Sequence, residues 1–310
     1  MPFPAAHDEA GWDALVADDR ALAAGVAAVL ARHGLAHETV RRYDSGSLPV
    51  YAIGDARVLK LFPPDEAVHA ATEARVLAAV QGALPLPTPR LIAADAHEGW
   101  PYLLMTQLRG PRLVDAWPSL AAAERDRAAD DLGQAIAALH AIDIGPLDDL
   151  PPRWDEFIAA QRASAVQRQR ERRLAPHWLE RIDDFLARWM PSPGPKRVLL
   201  HTEIMREHLT VERGRLAGLF DFEPAMVGAP DYEFASVGLF VSCGDTRFLR
   251  RTLLGYGFAP AALDDTVACR CMAYALLHRY SHLRWYLERL PVPGATTLEQ
   301  LAAHWWGLDP

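Results

Sequence analysis

The sequence predicts an α+β protein in which a small β-rich part precedes a larger, mostly helical part. Between residues 40 and 108, short apolar runs alternate with turn residues, which is the pattern of strands. After Gly110 the apolar residues recur with helical spacing over long segments. The chain of 310 residues is half apolar and 23% charged, which fits a globular protein of one large domain or two lobes.

The first part contains a leading helix, five strands and one further helix. Residues 10–34 are rich in Ala, Leu and Val and end at Gly34, a typical helix stop. A second helix is expected over residues 65–80, after Pro63 and Pro64 end the third strand. The five strands are predicted at residues 40–43, 50–53, 57–62, 90–94 and 102–108.

The second part is predicted to consist of long helices and two short strands. The strands lie at residues 198–200 and 216–220, and polar residues follow each of them. The helices are predicted at residues 119–141, 153–173, 176–190, 246–257, 261–290 and 297–306. We therefore divide the chain into residues 1–105 and 106–310, and we expect a ligand site in a cleft between two lobes. An arginine run is expected to form a solvated helix face: Arg162, Arg168, Arg170, Arg172 and Arg173.

Charge and cysteine content exclude several classes of protein. The net charge of −8 argues against a nucleic-acid-binding surface and favours cationic ligands. Three cysteines are too few for a disulfide framework in a chain of this length. Neither a membrane-spanning stretch nor a signal peptide is evident, so we expect a cytoplasmic protein without a membrane partner. The sequence leaves the oligomeric state open and is compatible with a monomer.

Two neighbouring segments carry the residues suited to chemistry. The segment His201–His208, called here the 201–208 loop, follows a short apolar strand, and a second strand ends at Asp221. This arrangement can bring Glu203, His208 and Asp221 to one edge of a lobe. Carboxylates grouped in this way hold a hard metal ion or orient a hydroxyl nucleophile.

The Val198–Asp231 stretch resembles the catalytic core of the aminoglycoside phosphotransferase family, which has a protein-kinase-like fold. That family's motif is His-Gly-Asp, four residues and Asn, followed by a strand that ends in Asp-Phe or Asp-Trp. Four further segments match the family in order and spacing, and together they extend the resemblance over residues 40–240: Val58–Phe62, Thr72–Leu77, Pro101–Met105 and Leu132–His140. Pro230–Ala235 resembles the family's Pro-x-Tyr-Asp-Leu-Ala. The C-terminal Leu298–Ala302 and Trp305–Gly307 resemble the bacterial hygromycin-B phosphotransferases most closely.

The resemblance implies a nucleotide site and a metal site. Lys60 would hold the phosphates of ATP or GTP, with Glu73 fixing its position, and Asp221 would bind Mg²⁺. Glu203 would orient or deprotonate the acceptor hydroxyl. Five further residues are expected beside the nucleotide: Ser45, Gly46 and Ser47 in a short turn, and Met105 and Gln107 near the interlobe hinge. Without a glycine-rich motif, an ordinary hairpin turn explains residues 45–47 equally well.

Two residues depart from the family pattern. Glu203 stands where the family has Asp, and its extra methylene requires about 1.3–1.5 Å more room. His208 stands where the family has Asn as a metal ligand, and imidazole suits Mn²⁺ better than Mg²⁺. His208 is equally explained as a residue that hydrogen-bonds the loop, and we expect the ring of His201 to bond loop backbone or Glu233.

An acidic surplus around these motifs points to a cationic acceptor. Residues 201–245 contain eight carboxylates and three arginines, which suits a polycationic acceptor such as an aminocyclitol and equally suits a divalent metal ion. The family resemblance implies that the acceptor is an aminoglycoside such as hygromycin B, and with it a role in antibiotic resistance. Glu207, Glu223 and Asp245 are the expected substrate contacts. Two alternatives stay open: a catalytically inactive kinase-like protein that binds nucleotide or a small molecule, and a metal hydrolase built on His201, Glu203, His208 and Asp221.

Overall fold

The computed structural model describes residues 3–4, 9–190 and 196–308, and the chain forms two compact units. The first unit comprises the described residues of three segments: Met1–Gln81, Pro87–Arg109 and Phe220–Pro224. The second comprises those of Gly82–Leu86, Gly110–Leu219 and Ala225–Pro310. The predicted α+β fold class is confirmed, because the first unit holds a five-stranded sheet and the larger second unit is mostly helical.

The sheet of the first unit is antiparallel throughout. Its strands follow the order β1-β2-β3-β5-β4. Their bounds are β1 Val40–Arg42, β2 Val50–Ile53, β3 Arg57–Leu61, β4 Leu91–His97 and β5 Trp100–Thr106. The central strand β3 carries Lys60, whose register partners are Val50 and Leu103. Gly54 has a φ of 56° and lets the chain turn tightly between β2 and β3.

Three helices pack in the described part of the first unit. They are α1 Glu9–Ala17, α2 Asp19–Arg32 and α3 Ala67–Val80. Apolar side chains of α2, among them Leu22 and Val26, form one buried core with Ile53, Leu59 and Leu104 of the sheet. This core supports β3 from one side and so fixes the strand that carries Lys60.

The single helix predicted over residues 10–34 is wrong, because the chain forms two helices there. Asp18 interrupts the helical pattern and caps α2, where its side chain accepts hydrogen bonds from the backbone N–H groups of Arg20 and Ala21. A carboxylate in this position satisfies amides that the first helical turn leaves open. The break between α1 and α2 therefore comes from the capping of α2 by Asp18, which composition alone does not show.

The second unit contains nine of the helices in the described part of the chain. The first four are α4 Leu113–Ala116, α5 Ala122–His140, α6 Trp154–Glu171 and α7 Pro176–Trp189. The others are α8 Glu233–Ser236, α9 Thr246–Tyr256, α10 Asp265–Leu277, α11 Leu283–Arg289 and α12 Leu298–Trp305. The predicted helix over residues 261–290 is wrong in its middle, because the chain leaves the helix between α10 and α11. No helix among these or in the first unit is long and apolar enough to cross a bilayer, as judged on the described residues.

Two small strand pairs position the loops of the second unit. Strand β6 (Val198–Leu200) pairs with β9 (Met226–Gly228), and β7 (Leu209–Glu212) forms a hairpin with β8 (Arg215–Leu219). The hairpin turns at Arg213 and Gly214, which both have positive φ. Strand β6 leads into the 201–208 loop, and β8 leads into Asp221. The sequence predicted β6 and β8 but missed β7, β9, α4 and α8.

Candidate active site

The first unit gathers one lysine and three carboxylates from three separate elements. Lys60 comes from β3, Glu73 from α3, and Asp221 and Glu223 from the segment that follows β8. The Lys60 Nζ donates hydrogen bonds to Glu73 Oε2 at 2.8 Å and to Asp221 Oδ1 at 2.6 Å. Glu223 Oε2 lies 2.7 Å from the same nitrogen. The predicted pairing of Lys60 with Glu73 is thus present, and two acidic partners join it.

Burial and charge act in opposite directions on Lys60. Burial lowers the pKa of the ammonium group, but the charges of Asp221, Glu73 and Glu223 outweigh burial and hold the pKa well above its ordinary value. Burial also raises the pKa of Glu73; Lys60 opposes that rise, and Asp221 and Glu223 add to it. Lys60 is therefore a firmly charged ammonium at neutral pH.

The segment around Asp221 is held by its backbone as well as by its side chains. Asp221 has a φ of 72°, a conformation that only a few non-glycine residues adopt. The next amide, of Phe222, donates to Glu73 Oε1 at 3.2 Å. Glu73 thus uses one oxygen for Lys60 and the other for this backbone. Its two bonds orient Asp221 and Glu223 relative to β3.

The three carboxylates fit a divalent metal ion. One oxygen of each of Glu73, Asp221 and Glu223 lies within 4.8 Å of the others. Asp221 and Glu223 have side chains that are 26% and 20% exposed, whereas Glu73 is almost fully buried. Accessible carboxylate oxygens are the ligands that Mg²⁺ and Mn²⁺ prefer. Sequence reasoning had assigned Glu223 to substrate binding and missed its place beside Lys60.

The other residues predicted to hold nucleotide also lie in the first unit. Ser45, Gly46 and Ser47 form an exposed bend between β1 and β2, and Gly46 has a φ of 117°. Met105 is buried near the end of β5, opposite Val58. Gln107 follows that strand, where its N–H donates to the carbonyl of Ala56 at 2.9 Å and its side-chain oxygen is buried without a hydrogen-bond partner among the described residues.

The 201–208 loop of the second unit is held by a buried carboxylate. Glu233, at the start of α8, is fully buried. Its Oε2 accepts from the N–H of His201 at 2.7 Å, and its Oε1 accepts from the N–H of Thr202 at 2.9 Å. The ring Nδ1 of His201 accepts from the N–H of Glu203 at 3.3 Å. The expectation that this ring bonds loop backbone is confirmed, while Glu233 bonds the backbone of His201.

A histidine that the sequence did not single out for the loop also holds it. His278 Nε2 donates to the carbonyl of Thr202 at 3.0 Å, and its ring stacks on Tyr232 with centroids 5.3 Å apart. Burial lowers the pKa of His278 to about 4, so its ring is neutral at neutral pH. The contact depends on the break in the helix after α10. The prediction of one continuous helix over residues 261–290 did not include this break.

The remaining loop residues have partners of their own. His208 Nδ1 donates to the carbonyl of Glu203 at 2.7 Å, which is the loop-bonding role weighed above. Arg206 donates through Nε to the carbonyl of Val241 at 2.7 Å, and its guanidinium stacks over the ring of Trp117. Arg206 therefore contacts backbone and an aromatic ring. In the described structure it forms no hydrogen bond with its neighbour Glu207.

The three expected substrate carboxylates occupy different surroundings. Glu207 lies half-buried in the single helical turn Arg206–His208. Asp245 caps α9, where its Oδ1 accepts from the N–H of Phe248 at 3.0 Å. Glu223 belongs to the Lys60 group of the first unit. The structure thus brings together Lys60, Glu73, Asp221 and Glu223, whereas Glu203, Glu207, His208 and Asp245 lie in the second unit.

The chain matches a known protein family over most of its length. The sequence profile described as the phosphotransferase enzyme family matches residues 39–265, which include every residue of both groups. The chain belongs to the phosphotransferase enzyme family. The predicted enzyme class, a phosphotransferase that acts on an alcohol group, is thereby confirmed. Comparison with curated protein sequences gives no match.

Solved structures similar to this phosphotransferase share its fold at low sequence identity. The GDP complex of aminoglycoside 2'-phosphotransferase-IIIa superposes with a TM-score of 0.68 and 16% identity, over 86% of this chain and 96% of the other. The streptomycin–ATP complex of APH(2")-IIa gives 0.63 and 16%, over 88% and 97%. Macrolide 2'-phosphotransferase MphH from Brachybacterium faecium gives 0.60 and 21%, over 87% and 99%. These likenesses confirm the kinase-like fold, and the resemblance to hygromycin-B phosphotransferases stays a prediction.

Proposed function

We propose that this phosphotransferase transfers the terminal phosphoryl group of ATP or GTP to a hydroxyl of a small cationic molecule. Hygromycin B and other aminoglycosides are the first candidates for the acceptor. The observation that carries the proposal is the group formed by Lys60, Glu73, Asp221 and Glu223, which combines a fixed ammonium with metal-binding carboxylates. Phosphoryl transfer requires little more than positioning and neutralisation of charge.

Each residue of the group has a distinct task in this proposal. Lys60 would bind phosphate oxygens, because its raised pKa keeps it charged at any physiological pH. Glu73 would hold Lys60 in place from a buried position, and through the N–H of Phe222 it would also hold Asp221. Asp221 and Glu223 would ligate Mg²⁺ or Mn²⁺. That ion, when bound, supplies further neutralisation of phosphate charge.

Glu203 would receive the proton of the acceptor hydroxyl. The loop bonds of Glu233, His201 and His278 hold the backbone that leads into Glu203, and His208 Nδ1 donates to the carbonyl of Glu203 itself. A base held on a fixed backbone loses less freedom when it aligns a hydroxyl, and proton transfer by a positioned side chain contributes about 10²–10⁴-fold to a rate. The extra methylene of glutamate shifts the acceptor oxygen but keeps a carboxylate as the proton acceptor.

A cationic acceptor is supported by charge and by similar proteins. The acidic surplus of residues 201–245 attracts positive groups. The similar solved structures include complexes with streptomycin, with gentamicin and with kanamycin. A macrolide phosphotransferase is also among them, so the acceptor panel must extend beyond aminoglycosides.

A catalytically inactive nucleotide-binding protein is the second candidate. It is favoured by the two departures at Glu203 and His208, and by the hydrogen bond that commits His208 Nδ1 to loop backbone. This candidate predicts binding of nucleotide and metal without turnover. A metal hydrolase is less well supported, because the carboxylate group that fits a metal contains neither His201 nor His208.

The test is mass spectrometry of acceptors incubated with the protein, ATP or GTP, and Mg²⁺ or Mn²⁺. The panel contains hygromycin B, other aminoglycosides and macrolides. Glu203→Gln and Asp221→Asn are the test variants, and Glu212→Gln, an exposed glutamate on β7, is the matched control. We expect one added phosphate with the wild type and the control, and at least a hundredfold loss in both test variants.

Other outcomes separate the candidates. Nucleotide binding without phosphate transfer to any acceptor would favour the inactive binding protein. Transfer that survives Glu203→Gln would remove Glu203 from the reaction. Absence of both nucleotide binding and transfer would overturn the proposed function.

A further inference from the structure

The ammonium group of Lys60 occupies the space that a metal ion would need. Its Nζ lies 2.8 Å from Glu73, 2.6 Å from Asp221 and 2.7 Å from Glu223. The same three carboxylates are the described residues whose oxygens lie close enough together for one metal ion. One set of oxygens thus faces two cations, the tethered ammonium and a free divalent ion.

The three carboxylates are bound to Lys60 with unequal firmness. Glu73 is almost fully buried and uses its second oxygen for the N–H of Phe222. Asp221 accepts a hydrogen bond from Lys60 but is partly exposed. Glu223 Oε2 is buried and has no aligned hydrogen-bond donor among the described residues, although Lys60 Nζ lies 2.7 Å away. Glu223 is therefore the carboxylate that Lys60 holds least firmly.

We propose that Lys60 acts as a tethered cation that fills the carboxylate group in the nucleotide-free protein and competes with divalent metal for Asp221 and Glu223. When phosphates draw the ammonium away from these two residues, their oxygens become available to the ion, while Glu73 keeps its bond to Lys60. Metal and nucleotide then bind cooperatively, each favouring the other by the same factor. This step rests on the proposed function, whereas the competition itself requires only the metal and the protein.

Electrostatics sets the expected size of the competition. In the wild type, an ammonium within 3 Å of every carboxylate offsets one of three negative charges and occupies the centre of the group. Its removal increases the attraction for a divalent ion and frees the space at once. We expect Lys60→Met to bind Mn²⁺ at least tenfold more tightly than the wild type when no nucleotide is present.

The chain offers a matched control, because Lys60 and Lys196 are its two lysines among 310 residues. Lys196 is exposed and carries no ion pair in the described structure. Mn²⁺ binding is measured by electron paramagnetic resonance or calorimetry on the wild type, Lys60→Met and Lys196→Met. Because Lys60→Met leaves Glu73 buried without its cation, the double variant Lys60→Met/Glu73→Gln is measured beside it. We expect both variants at position 60 to bind more tightly, and Lys196→Met to match the wild type.

Lysine modification of the wild type gives a second measurement that needs no substitution. Reductive methylation followed by peptide mass spectrometry compares the rates at Lys60 and Lys196. We expect Lys60 to be slow in the free protein, because three carboxylates hold its proton. Saturating Mn²⁺ should accelerate modification of Lys60 several-fold and leave Lys196 unchanged.

The competition would be overturned by any of three results. These are Mn²⁺ affinities of the wild type and both position-60 variants within twofold, no Mn²⁺ binding by any of the proteins, or unchanged methylation of Lys60 at saturating Mn²⁺. If competition fails while nucleotide binding and transfer persist, the proposed function stands and this inference falls. If transfer and nucleotide binding fail while the competition is observed, the proposed function falls. The inference that Lys60 competes with a divalent ion then still holds.

Discussion

His278 and Thr202 are joined by a hydrogen bond of 3.0 Å between a neutral imidazole and a backbone carbonyl. Thr202 is fully buried and has a φ of 72°, a region that is costly for a β-branched residue. Its N–H is bonded to Glu233 at 2.9 Å. Bonds at both ends of the residue thus hold it in an unfavourable conformation next to Glu203.

Replacement of Thr202 by glycine should relieve this backbone strain. Left-handed backbone costs a non-glycine residue about 1–2 kcal/mol, and glycine avoids that cost. We expect Thr202→Gly to change the free energy of unfolding by less than about 1 kcal/mol, since relief of strain offsets the lost side chain. Thr210→Gly, a buried threonine in β7, should lose about 2 kcal/mol. Urea denaturation measures both, and equal losses would contradict the strain.

Protonation of His278 should make stability fall at acidic pH. Burial lowers the pKa of His278 to about 4, and the charges of Arg279 and Arg168 also lower it. The hydrogen bond to Thr202 and the charge of Glu233 oppose this shift. Between the ordinary pKa of about 6.5 and the folded value, the unfolded chain binds more protons. The contribution of the neutral His278 ring to the free energy of unfolding is therefore complete above pH 6.5. About 3 kcal/mol of that free energy is lost as the pH falls towards 4.

The pH effect is tested by denaturation between pH 7.5 and 4.5. We expect His278→Gln to be less stable than the wild type at pH 7.5 and to lose less stability as the pH falls. His37→Gln, which alters an exposed histidine, serves as the control and should follow the wild type. Parallel profiles of the wild type and His278→Gln would remove His278 as the source of the slope.

Local patterns were sufficient to predict most of the fold. Strands β2 and β6 have the predicted bounds, and the arginine-bearing helix α6 is within two residues of its prediction. The Lys60–Glu73 pair could also be predicted, because the family resemblance supplied both positions. These features depend on turn residues, helical spacing and motif order, which are all visible along the chain.

Features that depend on distant contacts could not be predicted. The chain leaves the helix after α10, and there His278 bonds Thr202, which lies 76 residues earlier. Glu223 lies beside Lys60 because the segment after β8 belongs to the first unit, and no local pattern indicates this. Glu207, Glu223 and Asp245 looked alike as acidic residues, yet Asp245 is a helix cap and Glu223 an ion-pair partner.

Glu233 should contribute to stability through the hydrogen bonds that it accepts from two N–H groups of the 201–208 loop. Glutamine has the same shape, but its amide group can accept with one atom only, so one buried N–H would face an N–H. We expect Glu233→Gln to lower the free energy of unfolding by about 2–3 kcal/mol. Glu212→Gln, at the exposed last residue of β7, should change it by less than about 0.5 kcal/mol. Thermal and urea denaturation would contradict the role of Glu233 if both variants behaved alike.

Arg168 should stabilise the second unit more than its neighbours in the arginine run. The expected solvated face is wrong for this residue, whose Nη1 donates to the carbonyls of His278 at 3.2 Å and Arg279 at 3.4 Å. Its pKa is lowered by burial and by the charge of Arg172, yet a guanidinium remains charged in proteins. A cation at the carbonyl end of α10 also interacts favourably with the helix dipole.

Substitution of two arginines of α6 compares the buried and the exposed case directly. Arg168→Gln loses the bonds that join α6 to the segment after α10, so we expect it to lower the free energy of unfolding by about 2 kcal/mol. Arg170 is exposed, and its side chain bonds only Gln167 within its own helix, among the contacts that the structure describes. Arg170→Gln should therefore cost less than about 0.5 kcal/mol. Because the Arg168 bonds adjoin His278, Arg168→Gln should also increase hydrogen exchange of the 201–208 loop. Unchanged exchange there would show that Arg168 does not help to hold the loop.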